Sequence, residues 1–337
     1  MNTSLISVIV PVYNVSRYIE RCAKSLFEQS LHDIEYIFVD DSTQDNSIEI
    51  LKSVLADYPD RINQVKIVSH RENRGLAAAR NTGLRHANGE YIVHCDSDDW
   101  VERDMYEKLY LEAKSSNADI VSCDYIIEYD TTQSFWNEVS ELPQEDKLQL
   151  LETYISRCFT VIWNKLVRRD LYLENSIMAY EGLDFCEDYG LSVRLMYYSQ
   201  HYKRLSIPLY HYNRTNTTSY VAKSSEKVES YTDSMTAIYL RINEFFKEVG
   251  LYSELEKVLS WRMLCAKRDW LLNPTKREKY LILFPESNKY IDHNPLCVSK
   301  DKLYQHIIIT PVIYRILYVN WFCRLVEALE ILIKRIK

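Results

Sequence analysis

The residues with the clearest capacity for chemistry are three carboxylates within four positions, Asp96, Asp98 and Asp99, after the apolar run Tyr91–Cys95. Carboxylates this close repel one another unless a positive charge lies between them. A hard divalent cation supplies that charge, since Mg²⁺ is usually held by one or two carboxylates and by substrate phosphates. The pattern predicts a Mn²⁺ or Mg²⁺ site, with a solvated acidic turn as the alternative.

A second group of carboxylates, Asp40 and Asp41, follows the apolar run Ile34–Val39 and precedes a predicted helix. Carboxylate oxygens accept hydrogen bonds from nucleotide bases and ribose hydroxyls, as the acid after a strand does in dinucleotide-binding folds. We therefore expect Asp40 and Asp41 to bind a nucleotide. The next residues, Asp45-Asn46-Ser47, fit the capped start of a helix equally well, because these residue types are preferred N-caps.

The scaffold for these acids is predicted from residue 5 to about 125, where short β-branched runs alternate with segments of helical periodicity. Near-continuous apolar strands indicate a parallel sheet covered on both faces, and ligands bind beyond the carboxyl ends of such strands. The predicted strands are Leu5–Val12, Ile34–Val39, Val65–Val68, Tyr91–Cys95 and Ile120–Cys123. The predicted helices are one that starts after Ser16, then Ser47–Tyr58, Leu76–His86 and Arg103–Ser116.

Four segments of the chain occur in the order found in the family 2 glycosyltransferases, and the sequence resembles that family. They are Pro11-Val12-Tyr13-Asn14, Val39-Asp40-Asp41-Ser42, Asn73-Arg74-Gly75-Leu76-Ala77-Ala78-Ala79-Arg80-Asn81 and Asp96-Ser97-Asp98-Asp99. The resemblance implies an inverting enzyme of the bacterial surface-polysaccharide type. It also implies the α/β GT-A nucleotide-diphospho-sugar transferase fold, which is Rossmann-like with a mostly parallel sheet, followed by a C-terminal helical extension.

The resemblance also assigns residues to the donor and to the cation. The nucleotide-sugar would contact Pro11, Tyr13, Asn14, Asp40, Asp41, Arg80, Asp96, Ser97 and Arg214. The Mn²⁺ or Mg²⁺ ion would be held by Asp98, Asp96, Asp99 and His211. His211 and Arg214 belong to a segment that resembles the strand and loop closing over the donor. The family often has Tyr-x-Tyr-Arg there, whereas this chain has Tyr210-His211-Tyr212-Asn213-Arg214.

Two further segments resemble the acceptor-side motifs of the family, Trp163-Asn164-Lys165-Leu166 and Cys186-Glu187-Asp188-Tyr189. The first would bind the acceptor through Trp163, Asn164 and Lys165. The second would supply the catalytic base, with Asp188 as the first choice and Glu187 as the second. An inverting transfer needs a carboxylate that takes the proton of the attacking hydroxyl. Acids that simply favour the first turn of a helix are the alternative.

Charge and cysteine usage limit the possible partners and compartment. The chain carries 41 basic and 48 acidic residues, a net charge of −7, which argues against nucleic acid as the main partner. The eight cysteines show no C-x-x-C spacing, so neither a zinc ribbon nor a disulfide framework is expected. Ile6–Val10 runs directly into Pro11 and is too short for a secretory signal. A cytoplasmic protein is expected.

The C-terminal third has a different pattern, and we expect a catalytic domain at residues 1–222 and a mainly helical region at 223–337. From Lys302 onward the sequence is apolar, with six basic and two acidic residues. This pattern predicts a basic amphipathic helix at the inner face of the cell membrane, because its charges are costly at mid-bilayer. Docking on the catalytic domain, or on a second copy in a homodimer, is the alternative.

The sequence as a whole predicts transfer of one sugar from a nucleotide-diphospho-sugar, with uridine diphosphate as the expected carrier, to a saccharide acceptor, expected to be lipid-linked. The alternative is a non-catalytic nucleotide-sugar-binding subunit, but the acid sets are complete. A nucleotidyltransferase would need a basic Gly-rich segment, and a processive synthase would need several spanning helices. The sequence shows neither.

Overall fold

The structure, a computed structural model, describes residues 4–136, 142–143, 146–157, 160–217, 228–271 and 282–297, together with positions 299, 302 and 305. The chain forms two compact units, Met1–Glu226 and Lys227–Lys337. The first unit contains the sheet, and the second is helical within the described residues.

The first half of the sheet is parallel, with the strand order β3–β2–β1–β4. Every residue of β1 and β4 is buried, because helices cover both faces of a parallel sheet. The strands are β1 (Ile6–Val12), β2 (Ile34–Asp40), β3 (Val65–Ser69) and β4 (Tyr91–His94). The predicted strands in this part of the chain are therefore present, within one residue at each end.

The helices that connect these strands also follow the predicted periodicity. They are α1 (Ile19–Phe27), α2 (Ser47–Ala56), α3 (Leu76–His86) and α4 (Met105–Ser116). The buried face of α1 consists of the five apolar residues at helical spacing, Ile19, Cys22, Ala23, Leu26 and Phe27. Helix α3 lies close against β1, since a Cβ at Gly83 would be 2.2 Å from Cγ2 of Ile9. This close packing brings the middle of α3 to the ends of the central strands.

The strands in the second half of the sheet are β5 (Trp100–Val101), β6 (Ile120–Glu128), β7 (Gln133–Trp136), β8 (Lys165–Arg168) and β9 (Tyr202–Asn213). Strand β6 extends the predicted strand Ile120–Cys123, and β9 covers the strand that the sequence predicts near Arg204–Tyr212. The sequence pattern does not predict the other three. Strand β8 runs antiparallel to both β4 and β6, β6 runs parallel to β9, and β9 is antiparallel to β5. The strands β5, β7 and β8 have two to four residues, too few for a clear alternation of apolar and polar side chains.

Three more helices complete the described part of the first unit, α5 (Lys147–Arg157), α6 (Arg169–Glu174) and α7 (Glu187–Tyr198). The second unit contains α8 (Val228–Glu248), α9 (Tyr252–Leu271) and a 3₁₀ turn at Pro285–Tyr290. The predicted amphipathic helix after Lys302 lies outside the described residues, apart from positions 302 and 305. Among the helices that the structure describes, none is long and apolar enough to cross a membrane.

Candidate active site

The rim of the site is built by the turns that follow β1 and β2. Asn14 and Ser42 adopt positive φ values of 54° and 58°, which reverse the chain directly after each strand. The Asn14 amide N–H donates to Thr43 Oγ1 at 2.8 Å, and the Gln44 amide N–H donates to Asn14 Oδ1 at 3.2 Å. Tyr13 is 43% exposed beside these turns. The predicted contacts Pro11, Tyr13 and Asn14 therefore lie next to the predicted Asp40–Asp41 pair.

The neighbouring acids Asp40 and Asp41 have different surroundings. Asp41 is buried, and its carboxylate accepts hydrogen bonds from the amides of Arg74 and Gly75, both at 2.8 Å, and from His70 Nδ1 at 2.6 Å. Asp40 is partly exposed, and its Oδ1 accepts the amide of Thr43 at 2.9 Å. Asp41 therefore ties the segment before α3 to the end of β2, whereas Asp40 presents oxygen atoms to the rim.

The acidic turn after β4 is held by the end of β9. Tyr210 Oη donates to Asp99 Oδ2 at 2.7 Å, and the amide of Asn213 donates to Asp99 Oδ1 at 2.8 Å. Asn216 Nδ2 donates to Asp98 Oδ2 at 2.7 Å. Asp99 is 1% exposed and has both oxygens bonded to the protein, whereas Asp98 is partly exposed. Of these two predicted metal ligands, Asp98 is therefore more accessible than Asp99.

Burial, followed by like charge, raises the pKa values of the carboxyl groups in this turn. Burial and the Asp96 carboxylate raise the pKa of Asp98 to about 6. Burial, Asp98 and Asp96 together raise the pKa of Asp99 well above its usual range. Within the described residues no group of three or more His, Cys, Asp or Glu side chains has an arrangement that could hold a metal ion. Asp96 and Asp98 are both partly exposed in this turn, and each has one oxygen bonded to the protein, Asp96 Oδ1 to Arg80 and Asp98 Oδ2 to Asn216.

A buried guanidinium connects the acidic turn after β4 to the acids at the start of α7. Arg80 Nη2 lies 2.8 Å from Asp96 Oδ1, and Arg80 Nε lies 3.1 Å from Glu187 Oε1. Burial disfavours the charge of Arg80, but Asp96, Glu187 and Asp188 outweigh burial and raise its pKa. Its third nitrogen, Nη1, is buried without a hydrogen-bond partner in the described structure. Two nitrogens of Arg80 are thus bonded to carboxylates, and the third, Nη1, is available as a donor.

Of the two acids at the start of α7, Glu187 is buried and Asp188 is partly exposed. The helix follows Cys186, which has a φ of 63°, and this turn directs both acids toward Arg80. Burial and the adjacent Asp188 raise the pKa of Glu187 to about 8, although Arg80 opposes this shift. Burial raises the pKa of Asp188 to about 6, again against Arg80. Near neutral pH, Asp188 is therefore the ionised member of the pair, and it is also the partly exposed one.

Two residues predicted for the cation and the donor have other partners in the structure. The ring of His211 lies between two carboxylates, with Nδ1 2.7 Å from Glu128 Oε1 and Nε2 2.9 Å from Glu102 Oε1. Both ring nitrogens are thereby used, and the structure does not support His211 as a metal ligand. Arg214 is exposed, and its Nη1 lies 3.3 Å from Tyr212 Oη. Its predicted phosphate contact remains a prediction.

The residues predicted to bind the acceptor lie in the core. Trp163 is buried and stacks on Tyr210 with ring centroids 4.2 Å apart. Asn164 Nδ2 donates to the Cys123 carbonyl at 2.8 Å, and Lys165 Nζ lies 2.8 Å from Asn164 Oδ1. Because all three predicted residues are almost completely buried, the structure does not support their direct contact with an acceptor. Trp163 supports Tyr210, which in turn holds Asp99.

The structure adds residues that the sequence did not single out, namely Tyr210, Asn213, Asn216 and Asp184. Asp184 accepts the amide of Ala77 at 3.0 Å, and a Cβ at Gly75 would lie 2.1 Å from its Oδ2. Gly75 has a φ of 88°, so both its conformation and this contact require glycine. Tyr210 and Asn213 lie in the segment that resembles the family, but a strand pattern does not specify which atoms reach Asp99. Asp184 is more than one hundred residues away along the chain and carries no local signal.

Comparison with known proteins identifies the family and the fold of the chain. The family model described as Glycosyl transferase family 2 matches residues 7–174. EpsH of Bacillus subtilis (strain 168) is 31% identical over 290 residues, which cover 82% of this chain and 80% of EpsH. The crystal structure of S. aureus TarS 1-349 has a TM-score of 0.64 at 20% identity, with 90% of this chain and 86% of that chain covered.

Two further structural matches were solved with ligands. The structure of S. aureus TarS 1-349 in complex with UDP-GlcNAc has a TM-score of 0.59 at 19% identity and covers 90% of this chain and 86% of that one. A mannosyltransferase from Pyrobaculum calidifontis, in complex with GDP-Man and Mn²⁺, has a TM-score of 0.51 at 16% identity. That match covers 95% of this chain and 88% of the mannosyltransferase. At these identities the matches show a shared fold.

The α/β sheet and the likeness to TarS show that this protein has the GT-A fold. The match to the family model and the identity to EpsH over four fifths of that protein place it more narrowly. The chain belongs to glycosyltransferase family 2.

The different surroundings of Asp40 and Asp41 generate a paired prediction. Asp41→Asn turns a donor toward backbone N–H groups, so we expect the free energy of unfolding to fall by roughly 1–3 kcal/mol for each donor left unsatisfied. Asp40→Asn should change the stability by less than about 0.5 kcal/mol and weaken nucleotide binding. Urea unfolding and equilibrium binding of nucleoside diphosphates measure the two effects. An Asp41→Asn protein as stable as the wild type, or Asp40→Asn with unchanged nucleotide affinity, would contradict the assignment.

Proposed function

We propose that this glycosyltransferase transfers one sugar from a nucleotide-diphospho-sugar to a hydroxyl of a saccharide acceptor, with inversion and with the help of a divalent cation. The observation that carries the proposal is the acid cluster joined by Arg80, with Asp96 on one side and Glu187 and Asp188 on the other. The cluster would combine carboxylate oxygens for a cation with an ionisable base in one network, and a cation and a base are the two requirements of this transfer.

The donor would bind along the rim formed after β1 and β2. The exposed ring of Tyr13 offers a face to a base, and the Asp40 carboxylate accepts hydrogen bonds from a base or a ribose. The buried Nη1 of Arg80 provides a further N–H donor at the centre of the network. The TarS structure with UDP-GlcNAc supports a uridine diphosphate carrier, and the mannosyltransferase with GDP-Man keeps a guanosine diphosphate carrier as the second choice to be tested.

The donor atoms of the acidic turn fit a hard divalent cation. Asp96 and Asp98 offer carboxylate oxygens, and the pKa of Asp98 is raised by burial and by the Asp96 charge, a repulsion that a cation would relieve. Asp98 and Asp96 would hold Mn²⁺ or Mg²⁺, with diphosphate oxygens completing the ligand set. When bound, the cation would neutralise charge that develops on the departing diphosphate. Asp99 supports the turn through Tyr210 and Asn213.

Asp188 would act as the base. Its partly exposed carboxylate can reach an acceptor hydroxyl, and its pKa of about 6 leaves it ionised near neutral pH. Taking the hydroxyl proton makes the acceptor oxygen a better nucleophile for the anomeric carbon. Glu187, with a pKa of about 8, would keep its proton and hold Arg80 in place. No covalent bond to the enzyme is needed.

This assignment predicts an acid limb in the pH profile. Because the pKa of Asp188 is raised to about 6, the ionised base dominates only above that pH, and kcat should fall about tenfold for each unit below it. Asp188→Asn should lower kcat by roughly 10²–10⁴-fold and leave donor binding intact. Glu187→Gln mimics the protonated acid and should keep more activity than Asp188→Asn. If Glu187→Gln lost more activity than Asp188→Asn, Glu187 and not Asp188 would be the base.

The donor class and the cation can be tested together. Hydrolysis and transfer are measured for a set of UDP-sugars and GDP-sugars, with Mn²⁺, with Mg²⁺ and with EDTA. We expect turnover of at least one donor that requires the cation, and its loss in Asp98→Ala. Asp104→Ala is the matched control, since Asp104 is a nearby carboxylate paired with Lys108. Turnover in EDTA, full activity of Asp98→Ala, or donor binding without any transfer would contradict the proposal.

The acceptor is proposed to be a lipid-linked saccharide in the synthesis of a bacterial surface polysaccharide, reached from the inner face of the cell membrane. The support for this comes from the sequence after Lys302, which combines an apolar stripe with a local charge of +4. Such a segment binds an anionic bilayer surface through its apolar face and its basic residues together. The proposal therefore concerns the full chain and not the catalytic unit alone.

Vesicle flotation tests the membrane proposal. The full chain should float with vesicles that contain anionic lipid, and less so with neutral vesicles or at high salt. Replacing Arg315, Arg324, Lys334 and Arg335 by Gln should reduce flotation, because each basic residue contributes about 1 kcal/mol near such a surface. Lys52→Gln, an exposed lysine of α2, is the control. Equal flotation of the quadruple variant and the wild type would contradict surface attachment.

A further inference from the structure

A second arginine lies beside the acidic turn with its hydrogen-bond donors uncommitted. Arg21, in the first turn of α1, has its guanidinium carbon 3.3 Å from the centroid of the Trp100 ring. Within the part of the chain that the structure describes, this guanidinium makes no hydrogen bond or ion pair. Stacking uses the face of the planar group and leaves its five N–H donors at the edge available.

The support beneath Arg21 is a rigid stack of side chains. The imidazole of His211 stacks on Trp100 with centroids 4.9 Å apart and an angle of 12°, so it takes the ring face opposite Arg21. Glu128 and Glu102 fix the imidazole through its two nitrogens at 2.7 and 2.9 Å. A guanidinium held in this way loses less conformational entropy when it binds a ligand than a free surface arginine does.

The stack brings Arg21 close to the proposed cation site. Trp100 directly follows Asp99, and Cys22 Sγ, on the next residue of α1, lies 3.8 Å from the Asp96 carbonyl oxygen. Partial burial lowers the pKa of Arg21, while Asp99, Glu128 and Asp98 oppose this shift. Arg21 is therefore within electrostatic reach of the carboxylate, Asp98, that would hold the cation.

We propose that Arg21 binds the diphosphate of the sugar donor beside the cation, as a phosphate-binding residue that no family motif in the sequence marks. The inference rests on the proposed function and adds a named ligand contact to it. A diphosphate that enters this site meets Asp96, Asp98 and Asp188, and the nearest buried arginine, Arg80, is already bonded to two acids. The repulsion between the diphosphate and these carboxylates is offset by a second guanidinium whose N–H groups are available. A guanidinium suits this role because it binds phosphate oxygens in bidentate fashion.

The experiment compares a nucleoside diphosphate with its nucleoside. The full-length protein, in buffer with Mg²⁺, is titrated with whichever of UDP or GDP the wild type binds, and with the matching nucleoside. Arg21→Gln should weaken binding of the diphosphate about 10- to 100-fold, the range of a charge-assisted hydrogen bond, and change nucleoside affinity less than about twofold. Arg21→Lys keeps the charge without the fork and should lie between the two. Lys24→Gln removes a charge from the same helix and should match the wild type, since Lys24 pairs with Glu20.

The other outcomes are decisive. Equal loss of nucleoside and nucleoside diphosphate affinity in Arg21→Gln would make Arg21 a support of the fold and overturn the inference. Unchanged diphosphate affinity, including a case in which only the KM for the acceptor rises, would also overturn it. A wild-type protein that binds neither UDP nor GDP would instead overturn the proposed function, so the two failures are distinguishable.

Discussion

The arrangement of the site depends on one buried ion cluster, in which the Arg80 guanidinium is shared by Asp96 and Glu187. A buried charge without a partner is costly, so the cluster is stable only if β4, α3 and α7 meet correctly. Gly83 allows α3 to lie against β1, and Asp41 fixes the segment that leads into α3. The fold therefore brings the acidic turn after β4 and the start of α7 to the same guanidinium, that of Arg80.

The cluster holds more acidic than basic groups, and burial together with the neighbouring carboxylates raises the pKa values of Asp98, Asp188 and Glu187. In the proposed function, a donor that carries a diphosphate and a cation would change this balance, because the cation would add positive charge beside Asp98. The carboxylate charges that repel one another in the free protein would thus attract the cation that accompanies the donor. The same excess explains why a guanidinium such as Arg21 would be useful beside the acidic turn.

The parallel half of the fold could be predicted from the sequence, since long buried strands and amphipathic helices have clear periods. The strands β5, β7 and β8 could not, because two to four residues carry no period. The resemblance marked acids that the structure brings together, but it did not predict the surroundings of the other residues: Trp163, Asn164 and Lys165 are core residues, and His211 lies between Glu102 and Glu128. Contacts across more than one hundred residues, such as that between Asp184 and Ala77, have no local signal.

Each of the three acid pairs, Asp40–Asp41, Asp98–Asp99 and Glu187–Asp188, has one buried member bonded to the protein and one partly exposed member. Adjacent residues point in different directions in a strand or a helix, so a pair can face the core and the ligand at once. The inner acid fixes the backbone: Asp41 binds two amides, Asp99 binds Tyr210 and Asn213, and Glu187 binds Arg80. The outer acid also accepts a hydrogen bond through one of its oxygens, Asp40 from the Thr43 amide and Asp98 from Asn216, but it stays partly exposed. A substitution of the inner acid should therefore disturb the outer one, whereas the reverse substitution leaves the backbone in place.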